Sequence, residues 1–431
     1  MPAMSRSRIF AFQTPPMVIV ASIAALSSVL WTPRLVAQQA VTAPAATPNT
    51  GAAPQAQVPL GTPLPQAVRS FRVAGWAPDG HGVLFHVDGR RVMVVEGTPE
   101  QMGRAHARLL ERECHYLIER VLYGVGAFDS VAGGEWFFDT METIQRRTLP
   151  YIPPRFLEEI DALAAELNIP QRDARLANLF PERFHCSGVA VRGKATAQGR
   201  VIHARVLDYM RDIGLQNASV ITVFRPSGYH TWMSVGYAGF VGTVTAMNEK
   251  GLAVGEMGGR GEGLWDGTPM SLLLRDVMER ADDVEQAVDI LRRAKRTCEY
   301  YYVLSDRSGA MVGIRATPDE FLVLHPGEQH PLLPVVPEDC ILISADRRAE
   351  VLSERIRARY GHITVRDMID IIKRPVAMDS NLHDAIMLPE SLDVYAAEAG
   401  RYTPACDEPY LHVNLKEVLR WYETARRSRT D

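Results

Sequence analysis

Three residues of this 431-residue chain combine types and spacing that could do chemistry: Cys186, Arg205 and Asp208. Cys186 heads the run Ser187-Gly188-Val189-Ala190-Val191, an apolar strand pattern with small residues at its mouth. A thiolate is a nucleophile, and a guanidinium nearby favours the charged form of a thiol, so Arg205 can activate Cys186 while Asp208 orients the arginine. On a regular strand residues three apart face opposite ways, so Arg205 and Asp208 share a site only where the strand ends or bulges. A surface ion pair is the competing reading. No histidine occupies an obvious base position for Cys186. A base becomes available if the chain is cut between His185 and Cys186, because the freed α-amine titrates near ~7.7–8.0 and belongs to the same residue as the sulfur.

Other chemistries leave no trace. There is no H-E-x-x-H, no G-x-S-x-G, no phosphate-binding loop and no G-x-G-x-x-G, and no C-x-x-C pair offers a structural zinc site. Neither a cofactor nor a metal is expected. Gly258, Gly259, Gly261 and Gly263 have the wrong spacing for a dinucleotide loop and read as a loop against which substrate or backbone packs. His325 and His330 flank a proline–glycine turn and read as surface imidazoles. Cys114, Cys186, Cys298, Cys340 and Cys406 form an odd set: up to two disulfides leave one thiol over. Cys186 is the odd one, and Cys298 with Cys340, both at strand starts, is the expected pair. A net charge of −4 without a Lys/Arg-rich run argues against a nucleic-acid partner and for a small molecule. Trp232, Phe240 and Trp265 suggest an apolar acyl pocket, though core packing accounts for them equally well.

The elements that must position these residues change character at Cys186. Before it the pattern is helical. Thr98-Pro99-Glu100-Gln101 opens a helix with a capping residue and a first-turn proline, and Leu110, Cys114, Leu117, Ile118 and Val121 continue one face. A second helix runs from Pro154 through Leu167 and ends at Pro170. After Cys186 strands dominate: two around a turn at Gly199, a hairpin with Asn248-Glu249-Lys250-Gly251 at its tip, and runs at 218–224, 300–304, 311–315, 321–324 and 340–344. Helical stretches at 271–280, 283–295, 348–359 and 365–373 interrupt them, which predicts sheets covered by helices.

The N-terminus reads as an address. Arg6 and Arg8 precede an uncharged apolar run, Met17 to Trp31, shorter than the ~20 residues of a spanning helix, so residues 1–37 are expected to be a signal peptide and the protein secreted or periplasmic without a stable membrane span. Residues 38–66, rich in Ala, Pro, Thr and Gln, are expected to form a disordered linker.

"CSGVAVRGKATAQGRVIHARVLDY" resembles the opening of the catalytic chain in the acyl-CoA:6-aminopenicillanic acid acyltransferase family of N-terminal nucleophile hydrolases. "VEGTPEQMGRAHARLL", "MNEKGLAV", "SNLHDAIMLPESLDVYAA" and "PACDEPY" resemble, in order, other segments of that family. The resemblance implies an α+β, four-layer αββα sandwich and self-cleavage into a mainly helical leader, 67–185, and a catalytic chain, 186–431, forming one composite domain. It implies amide or thioester acyl chemistry, with Cys186 as nucleophile and, through its amine, base, and with Arg205 and Asp208 holding amine and thiol. Asn248 falls in a turn the family shares, where a hairpin role competes with a substrate role. The chain departs from the pattern at His185, where relatives often have glycine, and at Ile343-Ser344-Ala345-Asp346, where related hydrolases carry a Thr-Asn pair whose amide serves the oxyanion. Ser344 and backbone N–H groups from Glu256 to Gly259, Gly258 among them, are the candidate replacements.

The expected function is therefore an autoprocessing amidohydrolase or acyltransferase that forms an acyl-cysteine on an N-acyl small molecule. The alternatives are a catalytically silent binding or envelope protein that keeps the fold, and a cysteine peptidase with an internal nucleophile.

Overall fold

The computed structural model describes residues 70–120, 122, 137–179, 186–209, 211–259 and 263–430. The predicted signal peptide, linker and His185 lie outside them, as does the whole of the unit Met1–Gln57; the described residues belong to the unit Val58–Asp431.

Three strands come first: β1 (Phe71–Trp76), β2 (Gly82–Val87) and β3 (Arg90–Gly97). Helices α1 (Pro99–Leu109), α2 (Glu111–Ile118), α3 (Phe137–Thr148), α4 (Pro154–Leu167) and α5 (Gln171–Asn178) follow. Beyond Cys186 lie β4 (Ser187–Gly193), β5 (Gly199–Asp208), β6 (Ser219–Pro226), β7 (Trp232–Tyr237), β8 (Thr245–Asn248) and β9 (Leu252–Gly258). Then come α6 (Met270–Arg280), α7 (Val284–Arg293), β10 (Tyr300–Asp306), β11 (Met311–Ala316), β12 (Phe321–Leu324) and β13 (Cys340–Ile343). The chain closes with α8 (Asp346–Arg359), α9 (Val365–Ile372), β14 (Asn381–Leu388), β15 (Asp393–Glu398), β16 (Leu411–Asn414) and α10 (Leu415–Thr430).

The strands form a ten-stranded sheet, β1-β2-β3-β6-β7-β8-β9-β10-β11-β12, and a six-stranded sheet, β13-β4-β5-β14-β15-β16. The sheets face each other, with Gly313 of β11 against Ile341 and Ile343 of β13. Helices α1, α6 and α7 cover the outer face of the larger sheet and α8 and α9 that of the smaller. The fold is the four-layer αββα sandwich that the resemblance implies. Its inner core follows strand alternation: Val83, Phe85 and Val87 of β2 and Val92 and Val94 of β3 join Met387, Val394 and Val413 of the smaller sheet. Leu84, Met93 and Val95 point the other way, into the cluster that holds Met102 and Ala105 of α1.

The segment before Cys186 is thus not helical throughout. Its first three strands extend the ten-stranded sheet, and β3 pairs in parallel with β6, Val92 opposite Ile221. A strand buried on both faces carries no polar alternation, so "VMVV" shows no period of two. The predicted first helix keeps its capping box, Thr98 with Gln101, but is divided at Leu110, whose backbone leaves helical geometry between α1 and α2.

No disulfide joins the five cysteines, all of which are buried. Cys340 opens β13 opposite Val191 in the smaller sheet, while Cys298 precedes β10 of the larger one and turns both its N–H and its thiol to the Leu264 carbonyl. The expected Cys298–Cys340 bridge is corrected: the two strand starts belong to different sheets.

Candidate active site

Cys186 enters β4, whose Ser187 and Gly188 lie opposite Val206 and Arg205 of β5. That antiparallel register carries Arg205 to the sulfur across nineteen positions of sequence. The arginine side chain occupies the space between the sheets, where a Cβ added at Gly255 of β9 would stand 2.9 Å from Arg205 Cγ. One at Gly188 would stand 2.7 Å from Met257 Sδ. Both glycines are there for close approach of the two sheets.

Arg205 is fully buried. Its Nη2 donates to Cys186 Sγ at 3.4 Å and to Glu256 Oε2 at 3.4 Å, and its Nε donates to the Glu256 carbonyl at 3.1 Å. Its Nη1 donates to His383 Nε2 at 3.2 Å. Burial, then the charge of Arg205, holds the His383 imidazole well below its usual range, so the ring is neutral. With Nε2 accepting, the ring proton sits on Nδ1 and points to Tyr237 Oη, 2.9 Å away; Thr245 Oγ1 also lies 3.0 Å from Nε2. His383 therefore supports Arg205.

Asp208 turns away from this cluster, as a residue three along a strand must. Its Oδ1 accepts the Met378 N–H at 2.9 Å, and its Oδ2 accepts from Arg348 Nη2. The expectation that Asp208 orients Arg205 is corrected: Glu256 and His383 do that, while Asp208 binds Arg348 of α8. Burial pushes the Asp208 carboxyl up, and Arg348 is the largest influence in the opposite direction. The same Arg348 nitrogen donates to Ser187 Oγ at 2.9 Å, and Ser187 Oγ lies 2.7 Å from Ser344 Oγ.

Cys186 lines a cleft of about 510 Å³ whose apolar walls are Met257, Ile314, Leu322, Leu324, Leu333 and Ile343. Gly258, Ser344, Arg348 and His330 line it too, beside Tyr301, Arg315 and Asp346, so His330 is not merely a surface imidazole. Trp232, Phe240 and Trp265 are not among its walls. Trp232 is a core residue, wholly buried and stacked on Phe224 with ring centres 4.3 Å apart.

Asn248 is also a structural residue. Its Oδ1 accepts the Lys250 and Leu252 N–H groups of the hairpin, and its amide donates to the Met278 and Ala281 carbonyls at the end of α6. All its hydrogen-bonding capacity that matters for an oxyanion is spent. The backbone candidates are weakened likewise, since Glu256 N–H donates to the Val244 carbonyl and Gly259 N–H to that of Glu299. The Glu256 side chain has a different role, as the carboxylate partner of Arg205. Arg348 and His383 escaped the reading of the sequence because they lie 161 positions from Ser187 and 178 from Arg205, Arg348 at the start of a helical stretch and His383 in a segment quoted for its resemblance without a role for the histidine.

Residues 198–322 match the family model of acyl-coenzyme A:6-aminopenicillanic acid acyl-transferase. The chain is related to that family. The matched region contains Arg205, Asp208 and Glu256 but begins after Cys186. An uncharacterized protein of Archaeoglobus fulgidus is 24% identical over 279 residues, 57% of this chain and 46% of the relative. The N-acylethanolamine-hydrolyzing acid amidase of Rattus norvegicus is 23% identical over 186 residues, 40% of this chain and 50% of the relative. The chain thus spans about half the length of these two relatives. The solved structure of a Caenorhabditis elegans ortholog of that amidase aligns with a TM-score of 0.40 at 17% identity, over 48% of this chain and 93% of the other.

Proposed function

We propose that the protein is an N-terminal cysteine amidohydrolase, or an acyltransferase of the same mechanism, acting on an N-acyl small molecule with an apolar acyl group. The observation that carries this reading is Cys186 Sγ facing an apolar cleft with Arg205 Nη2 at 3.4 Å. The similarity to that family supports amide or acyl-transfer chemistry for the chain.

In the proposed first step the chain matures: the Cys186 thiol attacks the His185 carbonyl, the acyl group moves from N to S as the C–N bond breaks and frees the α-amine, and water then cleaves the thioester, releasing the thiol and a carboxylate at His185. In turnover the amine takes the thiol proton, the sulfur attacks the substrate carbonyl, and the C–N bond breaks as the leaving amine receives that proton. Water then attacks the acyl-cysteine, passing a proton to the α-amine as the thiol is released. An extracytoplasmic site, expected from the N-terminal run, meets water and little acyl-CoA, so hydrolysis is favoured over transfer. The apolar walls receive the acyl group, and the Ser344 hydroxyl, which lines the cleft, is the proposed donor to the oxyanion, a contribution on the order of 2.7–4 kcal/mol where such a donor has been removed elsewhere.

The test is intact-mass analysis of freshly purified precursor over time, beside Cys186→Ala, together with turnover of fluorogenic N-acyl amides. A second chain beginning at Cys186, formed without added protease and absent in the variant, is expected to accompany activity. Activity in a chain continuous across His185-Cys186 overturns the terminal-nucleophile mechanism and favours an internal cysteine. Cleavage without turnover of any amide favours a silent protein.

A further inference from the structure

Arg348 is placed to do more than balance a charge. It is the third residue of α8, it lines the cleft with Cys186, and its side chain is only 14% exposed. Nη2 reaches two strand ends at once: Ser187 Oγ, one residue after the nucleophile on β4, and Asp208 Oδ2 at the end of β5. Nε donates to the Val376 carbonyl at 2.6 Å, so the guanidinium plane is held from the opposite edge as well. Ser187 passes the contact on to Ser344 at 2.7 Å. We propose that Arg348 is a positioning residue of the thiol site, tying the buried Asp208 and Ser187 to Ser344, which lines the cleft with Cys186. This rests on the proposed role of Cys186 as nucleophile.

The physical case is the fate of Asp208 without it. The carboxylate is bonded by Arg348 of α8, and the charges of Arg205 on its own strand and Asp384 of β14, with the Asn381 amide, also act on it. Arg205 is engaged by Glu256 and His383, and Asp384 is a second acid. Removing Arg348 therefore leaves a buried carboxylate without its directly bonded cation, and that charge repels a thiolate forming nearby and raises the pH at which the thiol ionises. Ser187 loses the donor that fixes its hydroxyl against Ser344.

The experiment follows the rate at which iodoacetamide alkylates Cys186, read by mass spectrometry as a function of pH. It needs no substrate, and wild type and variants are compared in the same processing state. In Arg348→Gln the midpoint of the alkylation profile is expected to move by about one pH unit and kcat to fall at least tenfold, with KM changed much less. Arg348→Lys, which keeps the charge but not the fork, is expected to restore the midpoint but not the rate. Because Arg348→Gln is expected to act through Asp208, adding it to Asp208→Asn should change the profile no further. Should Arg348→Gln fail to fold, the lysine variant and Ser187→Ala carry the test, each expected to lower kcat. An unchanged midpoint in Arg348→Gln, or full additivity with Asp208→Asn, overturns the proposal. So does a wild-type kcat in both fallback variants. A shifted alkylation profile in a protein that hydrolyses no amide sinks the proposed function and leaves the positioning role standing.

Discussion

Arg205→Lys keeps a positive charge between the sheets and removes the planar fork. The guanidinium makes four contacts: to the Cys186 sulfur, to the carboxylate and the carbonyl of Glu256, and to His383. A single ammonium on a flexible stem replaces Nη2 at most, and the sulfur and the Glu256 carboxylate then compete for it. His383 Nε2 keeps Thr245 as a neighbour, but the Glu256 carbonyl loses the Arg205 Nε–H, and an unsatisfied buried acceptor costs about 1–3 kcal/mol. An opposite charge this close to an ionising group favours its charged form by roughly tenfold to a thousandfold, so an ammonium drawn to Glu256 leaves the thiolate without most of that factor. The expected result is a loss of about 1–3 kcal/mol in urea unfolding and a drop of roughly ten- to a hundredfold in kcat/KM and in iodoacetamide labelling of Cys186 at neutral pH. Wild-type labelling and turnover in a lysine variant of reduced stability would show that the fork is structural alone and would refute the activation argument.

Asn248→Ala is expected to destabilise the β8–β9 hairpin by about 1–3 kcal/mol in thermal or urea unfolding, because it strands the carbonyls at the end of α6, while kcat per folded molecule stays the same. A selective loss of kcat would return Asn248 to the site. Arg275→Ala strips the cation shared by Glu159 of α4 at 2.6 Å and Glu279 of α6 at 2.7 Å, so about 3–5 kcal/mol of unfolding free energy should be lost, and in protein cleaved before Cys186 as proposed the two pieces should separate at lower urea in size-exclusion runs. Co-elution unchanged to the wild-type urea midpoint would count against that joint. Burial raises the Asp384 carboxyl to about 7, despite hydrogen bonds from Asn381 and Tyr410. A raised acid favours folding only while protonated, so its contribution is lost as pH climbs from the ordinary carboxylate range toward about 7, at up to about 1.4 kcal/mol per pH unit. Asp384→Asn should flatten that stretch of the stability profile, and an identical slope in both proteins would refute the assignment.

The thiol with its small neighbours, the arginine on the next strand and the layered α+β architecture were all legible in the sequence alone, because they rest on local patterns. Two strands joined by a turn at Gly199 put Arg205 opposite Gly188 once the turn is recognised, and Thr98 with Gln101 marks a helix start by capping chemistry. β2 and β3, ahead of α1, were hidden by the same physics that buries them, since covering both faces of a sheet erases the alternation that identifies a strand. For Asn248 a hairpin role and a substrate role competed in a shared turn, and only the packing of α6 against it shows its amide already engaged. Which charge meets which was likewise beyond a linear reading. Arg205 meets Glu256 and His383, and Asp208 meets Arg348, because the facing of the two sheets and the seat of α8 on the smaller one decide those pairs. A buried ion finds its partner across the fold, where the desolvation cost must be offset, and that partner can stand anywhere in the chain.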